Sequence, residues 1–372
     1  MFVRILIDYR TMKGKTYLKW SVGILLAVGI KWFSGRHELV EEWYSRGFYP
    51  PMARALRMGF GWLPFSLGDL LYLFLIVMMV RWVYRWGRAI FLRRLEPGWG
   101  WSISRRLLAF CLSVYILFYG VWGLNYSRLG IASIIEVDVS AYTTEELEEV
   151  VGQLVQKLNR EAERVVVQDR DSIRKIGFIE KEVTEAYKRT AYLYPELSYG
   201  TPSIKKSLTG PLGNYLGFSG YLNPFTNEAQ INATIPLFYQ PAVACHEAAH
   251  QLGYSSEAEA NFVGYLAGKS SPNPLFTYSI YFDMVFYGLG ELQRRDSTLA
   301  ASLREHLHPR VMADREEYRH FLRKHANMIE PIVEGFYDAY LRANDQAAGI
   351  RSYDEVIGLL MAYYRRYGSA AL

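Results

Sequence analysis

The sequence predicts a mainly α-helical protein in two parts: three transmembrane helices near the N-terminus, followed by a helical α+β domain with a small β-hairpin. Three observations support this interpretation. Three apolar runs in residues 1–124 approach the length of a bilayer crossing. Most of the remaining chain shows the helical spacing of apolar residues, and one short segment alternates polar and apolar residues as a strand does. The chain has 372 residues, which is enough for a membrane region and one globular domain.

The three apolar runs are predicted to span the membrane at about residues 18–33, 63–83 and 107–124. Each is close to the roughly 20 residues that a crossing helix needs, and tryptophans lie at or near the ends, as interfacial aromatic residues do. The first run is short and is interrupted by Lys31. A cleaved signal sequence or an interfacial helix is therefore the alternative for this run.

Charge separates the membrane region, residues 1–124, from the second domain, residues 125–372. The first part contains 17 Lys and Arg against 6 Asp and Glu, and the second contains 25 against 31. Basic residues cluster before the first run and between the second and third runs, which is typical of cytoplasmic loops. We therefore predict a multi-pass protein of the plasma (inner) membrane with an extracytoplasmic C-terminal domain. Lipid headgroups explain the basic loops better than nucleic acid does, so no nucleic-acid partner is predicted.

The second domain is predicted to begin with amphipathic helices at about Thr143–Val165 and Gly177–Tyr194. The glycine-rich segment 203–220 lacks the Gly-Lys-Ser/Thr ending of a phosphate-binding loop. Cys111 lies in the third apolar run and Cys245 in the second domain, so a disulfide framework is not predicted.

The C-terminal part of the second domain is predicted to be almost entirely helical. Leu275–Leu292 is apolar enough to raise the question of a fourth span. Asp283 and Glu291 favour a buried core helix instead, because a carboxylate in the middle of a membrane is costly. Further helices are predicted at about residues 309–344 and 353–367.

A short β-hairpin is predicted around the turn-rich segment 223–228. Its second arm, Ala229–Ile235, alternates Gln230, Asn232 and Thr234 with apolar residues, which is the period of a strand. In zinc peptidases an edge strand beside the active-site helix can pair with an extended substrate. Asn232 is therefore predicted to lie on a substrate-binding strand. A hairpin that only covers the core is the alternative.

The most informative motif is His-Glu-Ala-Ala-His at residues 246–250. Successive helical residues are about 100° apart, so the imidazoles of His246 and His250 project from nearly the same face and can bind Zn²⁺. Glu247 is placed to act as a general base. Gly253 is predicted to end this helix in a left-handed cap. A helical hairpin with ordinary histidines is the alternative.

A catalytic zinc ion usually has three protein ligands, so a third ligand is expected in the acidic helix that follows. With Ser256 as the N-cap, Glu259 would complete a capping box and have a structural role. Glu257 is then free to face the metal, and Asn261 is predicted to be a hydrogen-bonding partner beside the ligands. Glu257 is thus the predicted third ligand, and Glu259 is the alternative.

These residues resemble the zincin metallopeptidases that use a glutamate as third ligand. The motif at 246–250 and the following Glu257-x-x-Ala260-Asn261 carry this resemblance, which implies a zincin-like domain. The chain also resembles the bacterial membrane family catalogued as domain of unknown function 3810, which implies no established activity. That second resemblance rests on the apolar runs and on the following segments: Asn223–Thr226, Cys245–Gly253, Glu257–Phe262, Asn344-x-Gln346 and Ser352-Tyr353.

We expect the outer domain to be a zinc-dependent hydrolase, specifically a peptidase that acts on a peptide or protein substrate. His246, His250 and Glu257 would bind Zn²⁺. Glu247 would activate the attacking water and then transfer the proton to the leaving amine. The lipid bilayer is the expected partner, and the sequence does not determine the substrate or the oligomeric state.

Negative charge on the tetrahedral intermediate requires a donor in addition to zinc. Tyr353 is the predicted donor, with Arg351 and Asn232 as alternatives. The competing hypothesis is a non-catalytic membrane protein, with a structural or absent metal, whose outer domain binds a partner or a cell-envelope component. An intramembrane protease is disfavoured because polar residues crowd the region after the motif.

Overall fold

The computed structural model describes residues 2–92, 98–344 and 353–372, and the side chains of residues 2–16, 353 and 354 lie outside this description. Most of the described residues are helical, as predicted, and the described strands form one small sheet. The chain forms two compact units, which consist of residues 1–49 with 70–128 and residues 50–69 with 129–372. The predicted boundary after residue 124 assigned residues 50–69 to the membrane region, whereas the structure assigns them to the second unit.

The first unit combines long helices with a short connecting region that a buried ion pair stabilises. Arg128 and Glu41 form this pair at 2.9 Å, and both side chains are buried. His37 Nδ1 donates a hydrogen bond to the Ser127 carbonyl at 2.8 Å. The helices of residues 1–128 are α1 (Phe2–Ser34), α2 (His37–Leu39), a π-helix (Val40–Phe48), α3 (Tyr49–Phe60), α4 (Leu67–Phe91), α5 (Trp99–Val121) and a 3₁₀ helix (Gly123–Ser127).

Among the described residues, two helices, α4 and α5, are long and apolar enough to cross a membrane. The prediction of three such spans is wrong. In α1 the apolar run between Lys19 and Lys31 is shorter than the roughly 20 residues that a span needs. The first and last residues of α4 and α5 also differ from the ends predicted for the second and third spans. Ser66 Oγ accepts the Asp69 amide and caps α4, whereas α5 begins directly after the left-handed Gly98.

The second unit is built around a core of buried helices. The first is α7, which begins with the capping box of Thr143 and Glu146. The apolar residues of α7 that show helical spacing in the sequence are buried against α12, the core helix predicted at residues 275–292. The helices of this unit after residue 128 are α6 (Ile131–Ile134), α7 (Thr144–Arg164), α8 (Ile176–Thr190), α9 (Gly210–Leu216), α10 (Gln240–Gln251), α11 (Glu257–Lys269), α12 (Pro274–Arg295), α13 (Ser297–Glu305), α14 (Pro309–His325), α15 (Glu330–Ala343) and α16 (Tyr353–Tyr367).

The sheet of the second unit has three short strands in the order β1-β3-β2. The strands are β1 (Ile204–Lys206), β2 (Gly220–Asn223) and β3 (Glu228–Ile231). β2 and β3 form the predicted antiparallel hairpin, while β1 adds a parallel neighbour on the other side of β3. β3 is thus the central strand. It is also shorter than the predicted second arm.

Residues 50–69 are an integral part of the second unit. Arg57, near the end of α3, is buried and donates hydrogen bonds to Asn227 Oδ1 at 2.5 Å and to the Gln251 carbonyl at 3.1 Å. Gln251 is the last residue of α10. Because the C-terminus of a helix carries partial negative charge, the guanidinium group stabilises this end of α10.

The central strand also holds the start of α4. Glu228, the first residue of β3, is fully buried and accepts the backbone amides of Leu67 at 3.2 Å and Gly68 at 2.7 Å. These are among the amides that a helix leaves without an intrahelical acceptor. One carboxylate therefore connects the sheet to the N-terminus of a candidate membrane span.

Candidate metal centre

The helix α10 presents the two histidines of the motif on one face. Pro241 occupies its first turn, where the missing amide hydrogen costs no hydrogen bond. The rings of His246 and His250 lie one turn apart with their centroids separated by 4.6 Å. Gly253 has a φ of 86° and follows the end of the helix, as predicted from the sequence.

The turn after α10 brings the acidic helix α11 back towards the two histidines. Glu257 is the first residue of α11. Its Oε2 lies 3.3 Å from Nε2 of His246, and its Oε1 lies 3.7 Å from Nε2 of His250. One ligand atom from each of the three residues lies within 4.8 Å of the others. The structure thus brings together the three residues predicted to bind the metal.

Glu259, the alternative ligand, has a different contact. Its Oε1 accepts the backbone amide of Ile131 at 2.7 Å, at the start of α6. The predicted capping box is wrong, because Ser256 occupies the N-cap position without a side-chain hydrogen bond. Glu259 still has a structural role, because it accepts a hydrogen bond from the first turn of α6. Gly130 makes room for it, since a Cβ there would lie 2.0 Å from Oε1 of Glu259.

Hydrogen bonds orient both imidazoles. Nδ1 of His246 lies 2.6 Å from Oδ1 of Asn261, and Nδ1 of His250 lies 2.6 Å from the Tyr254 carbonyl oxygen. Both oxygens are acceptors, so each Nδ1 carries a hydrogen, and Nε2 is the atom of each ring that can bind a metal once it is deprotonated. Asn261 therefore has the position predicted for a partner of the ligands.

The donor set fits Zn²⁺. Zinc is commonly bound by neutral imidazole nitrogens and carboxylate oxygens, and catalytic sites use three protein ligands. Within the described part of the chain, this cluster contains two histidines and one glutamate. The side chains of His246 and Glu257 keep 17% and 14% of their surface exposed, so solvent reaches the cluster.

Electrostatic interactions couple the three side chains of the cluster and shift the pKa of each one. Burial lowers the pKa of His250 to about 4, and the charge of His246 acts in the same direction. Burial alone would raise the pKa of Glu257, but the hydrogen bond from His246 and the two histidine charges outweigh it and lower this pKa to about 2. Burial opposes protonation of His246, whereas Glu257 raises its pKa to about 9. The ionised carboxylate of Glu257 could thus compensate the positive charge of a cation bound between the three side chains.

Glu247, next to His246 in the sequence, is a buried polar residue with an unusual environment. Only 3% of its surface is exposed, and its Oε2 has no hydrogen-bond partner among the described residues. Burial raises the pKa of this carboxyl to about 8, against the opposing charge of His246. Buried polar groups in native proteins are normally hydrogen-bonded, and a perturbed carboxyl in such a place indicates a functional group.

Tyr337 is a residue of the site that the sequence did not reveal. Its hydroxyl group donates a hydrogen bond to Oε1 of Glu257 at 2.5 Å. It lies on α15, 80 residues after Glu257 in the sequence, and no motif surrounds it. Only the packing of α15 against this part of the unit brings the hydroxyl group to the ligand. Tyr353, the predicted donor, begins α16, and its side chain lies outside the described residues.

The strand prediction for Asn232 is wrong. Asn232 directly follows the central strand β3. Its backbone amide donates a hydrogen bond to the Ser219 carbonyl, and its side-chain Nδ2 donates to Asn214 Oδ1 and to the Phe218 carbonyl. Its backbone amide is therefore not available to a substrate. The strand beside Glu247 is β2, since a Cβ on Gly220 would lie 2.6 Å from Oε1 of Glu247. β2 is an edge of the sheet.

A cavity of about 860 Å³ lies on another part of the second unit and is lined by none of the three predicted ligands. Residues of α14 and the segment 233–238 contribute to its wall. The chemistry of the cluster, not the size of this cavity, therefore identifies the candidate site.

We expect the substitution Gly220→Ala to lower the stability of the protein by about 1–3 kcal/mol, the usual cost of overpacking. The new methyl group would meet Glu247 Oε1 at 2.6 Å, Val243 Cγ1 at 2.8 Å and the Gln230 carbonyl at 2.9 Å. Thermal unfolding of the purified full chain measures the effect. Gly290→Ala is the matched control, because no atom lies within 4 Å of the position of its Cβ. An unchanged Tm for Gly220→Ala would contradict the close packing of β2 against Glu247.

The family model described as "Protein of unknown function (DUF3810)" matches residues 44–361. This range includes α10, α11 and α15, and therefore all three predicted ligands, Glu247 and Tyr337. No curated protein and no solved structure matches the chain.

Proposed function

Because the chain belongs to the DUF3810 family, whose description names no activity, we propose a function from the site itself: a membrane-anchored, Zn²⁺-dependent hydrolase that cleaves peptide bonds. The observation that carries this proposal is the convergence of His246, His250 and Glu257 within 4.8 Å. Glu247 interacts electrostatically with His246 and Glu257, and its buried Oε2 has no hydrogen-bond partner in the described part of the chain.

The residues of the site have distinct roles in the proposed reaction. His246, His250 and Glu257 would hold Zn²⁺, which when bound acts as a Lewis acid and lowers the pKa of water. In its ionised form, Glu247 would accept a proton from the attacking water at Oε2 and then transfer it to the leaving amine. Tyr337, whose hydroxyl group contacts the ligand set, takes the role predicted for Tyr353 and would donate to the negatively charged oxygen.

A catalytic site fits better than a purely structural zinc site. Structural zinc sites are closed by four protein ligands, whereas catalytic sites have three and keep one position open. The described residues supply three ligands here, and the cluster is partly open to solvent. A structural ion also provides no reason for the buried Oε2 of Glu247, for which the described residues supply no hydrogen-bond partner. The zincin-like character of the second unit rests on these same features.

The proposed membrane arrangement follows from the two candidate spans. Their apolar side chains are almost entirely exposed, which is unfavourable in water and favourable in lipid. The chain enters α4 from residues 50–69 and leaves α5 into residues 129–372, and these two segments form one compact unit. If both helices cross the bilayer, the second unit therefore lies on one side. We propose that the arginine-rich segment around residues 81–106 faces the cytoplasm, because arginine and lysine are enriched in cytoplasmic loops. The site would then be extracytoplasmic.

Removal of the metal tests the proposal. We expect the full chain, purified in detergent, to contain about one Zn²⁺ per molecule by elemental analysis, as three-ligand sites do. It should cleave members of a peptide library, monitored by mass spectrometry. A chelator should abolish cleavage and added Zn²⁺ should restore it, because the ion supplies the Lewis acid.

Two histidine variants serve as a matched pair in this experiment. His250→Ala should lose both zinc and cleavage, whereas His320→Ala, which removes an exposed histidine of α14 outside the cluster, should retain both. A folded wild-type protein without zinc, or cleavage that resists chelation, would refute the metallohydrolase. Stoichiometric zinc without any cleavage would instead favour the non-catalytic membrane protein.

A further inference from the structure

Helix α15 exposes a stripe of large apolar side chains. Ile332 and Phe336 lie one turn apart on α15, and Ile329, the N-cap residue, precedes Ile332 by three positions, so all three lie on one side of the helix. All three are exposed, and Phe336 keeps 74% of its surface accessible. Glu334 and Asp338 lie about 160° around the helix from Phe336, at 100° per residue. The helix is therefore amphipathic, with an apolar face that the described part of the second unit does not cover.

A second group of exposed apolar side chains lies on and before α9. Leu208, Leu212 and Tyr215 are each about half exposed. α9 and α15 are in contact, and Asn327 Nδ2 donates a hydrogen bond to the Tyr215 carbonyl at 2.7 Å. The two groups together are named the α9–α15 surface, which consists of Leu208, Leu212, Tyr215, Ile329, Ile332 and Phe336.

The α9–α15 surface continues to the point where the chain enters a candidate span. The Leu208 amide donates a hydrogen bond to Oδ2 of Asp69 at 2.6 Å, in the first turn of α4. The Lys205 ammonium bonds the carbonyls of Gly61 and Leu63, in the loop before this helix. All of these residues belong to the second unit.

The loop before α4 carries exposed aromatic side chains of its own. Trp62 keeps 76% of its surface accessible and Phe65 keeps 40%. Aromatic residues directly before a membrane span are typical of the interface between lipid and water. If α4 crosses the bilayer, Trp62 and Phe65 would therefore lie near the lipid headgroups.

We propose that the α9–α15 surface rests on the outer face of the lipid bilayer, with the stripe of α15 inserted into the interface. An exposed apolar surface of this kind marks an interaction site. An amphipathic helix whose apolar face is uncovered binds a membrane interface by burying that face. Lipid is the occupant because hydrogen bonds join this surface to the aromatic loop and to the first turn of α4, where the candidate span begins.

This arrangement has a consequence for the substrate, which rests on the proposed hydrolase function. Tyr337 follows Phe336 on α15 and contacts Glu257 of the metal cluster. One face of α15 thus contacts the site while another contacts lipid. The substrate class is then a polypeptide segment held at the membrane surface, such as the region of a membrane protein next to its span.

Spin labels on α9 and α15 test the proposal in the full chain reconstituted into phosphatidylcholine and phosphatidylglycerol vesicles. Cysteines are introduced as Ile332→Cys, Phe336→Cys and Leu212→Cys in a Cys111→Ala background, since Cys245 is buried. We expect oxygen to relax these labels more strongly than a water-soluble nickel chelate does. The corresponding depth is about 5–10 Å below the headgroups.

Glu334→Cys is the matched control, because it places the same label on the opposite side of the same helix. Its label should show the reverse preference, for the nickel chelate over oxygen. The proposal is overturned if the labels at 332, 336 and 212 are as accessible to nickel as the label at 334. Zinc content and chelator-sensitive cleavage, measured on the same samples, report on the hydrolase separately. A water-exposed α15 with active zinc refutes only the membrane contact, and an immersed α15 without zinc refutes only the hydrolase.

Discussion

Replacing Glu247 with glutamine is expected to leave the zinc content unchanged and to lower kcat by roughly 10²–10⁴-fold, the usual contribution of a general base. Glutamine has nearly the same shape as glutamate, and Glu247 is not one of the three clustered ligands. An amide cannot accept the proton of the attacking water. The buried Oε2, which has no hydrogen-bond partner among the described residues, is the atom that loses its function.

Steady-state hydrolysis of a peptide identified in the library, together with elemental analysis, measures this effect. The control is Glu180→Gln, which makes the same change at a half-buried carboxylate of α8 outside the cluster. That variant should keep both zinc and kcat. Turnover at the wild-type rate in Glu247→Gln would remove this residue from the mechanism, even if zinc remains bound.

The second large effect is expected at the third ligand. Glu257→Ala should lose zinc, because two imidazoles alone do not form a catalytic zinc site. Glu259→Ala should retain zinc and lower stability by about 1–3 kcal/mol, since it removes the acceptor of a backbone amide. That amide belongs to Ile131 and lies 2.7 Å from the Glu259 carboxylate. The two substitutions remove the same side chain two residues apart, so each controls for the other.

Zinc content of the two purified full-length variants, measured beside their Tm values, separates the ligand from the structural carboxylate. Loss of zinc in the Glu259 variant alone would overturn the assignment of Glu257. Full zinc occupancy in both variants would show that neither carboxylate is required for binding. A Glu259 variant with the wild-type Tm would contradict the structural role of its hydrogen bond.

The cluster of His246, His250 and Glu257 was predictable because these residues are close in sequence. A helix turn sets the spacing of His246 and His250, and one glycine turn returns Glu257 to them. His246 and Glu257, the two predicted ligands that lie farthest apart in the sequence, are only 11 positions apart. Local geometry therefore determines most of the arrangement. The same holds for the hairpin of β2 and β3, whose turn residues are visible in the sequence.

Predictions that depended on distant partners were less successful. The alternation around Asn232 indicates a strand but cannot show that β1 pairs with β3 and makes it central. The position of Ser256 suggested a capping box, whereas Glu259 bonds an amide 128 residues earlier in the chain. The apolar content of the first run suggested a span, although Lys19 and Lys31 leave too short a core between them.

The sequence alone therefore determined the helical class, the two later apolar helices and the clustering of His246, His250 and Glu257, because helix periodicity, apolar length and short loops are local properties. Tertiary structure alone decided that Tyr337 contacts Glu257, that β2 is the strand beside Glu247, and that residues 50–69 belong to the same unit as the site. These features join segments far apart in the chain. The contacts between these segments form when apolar faces are buried and backbone groups become hydrogen-bonded in the folded protein. A local sequence pattern does not specify which distant segments make these contacts.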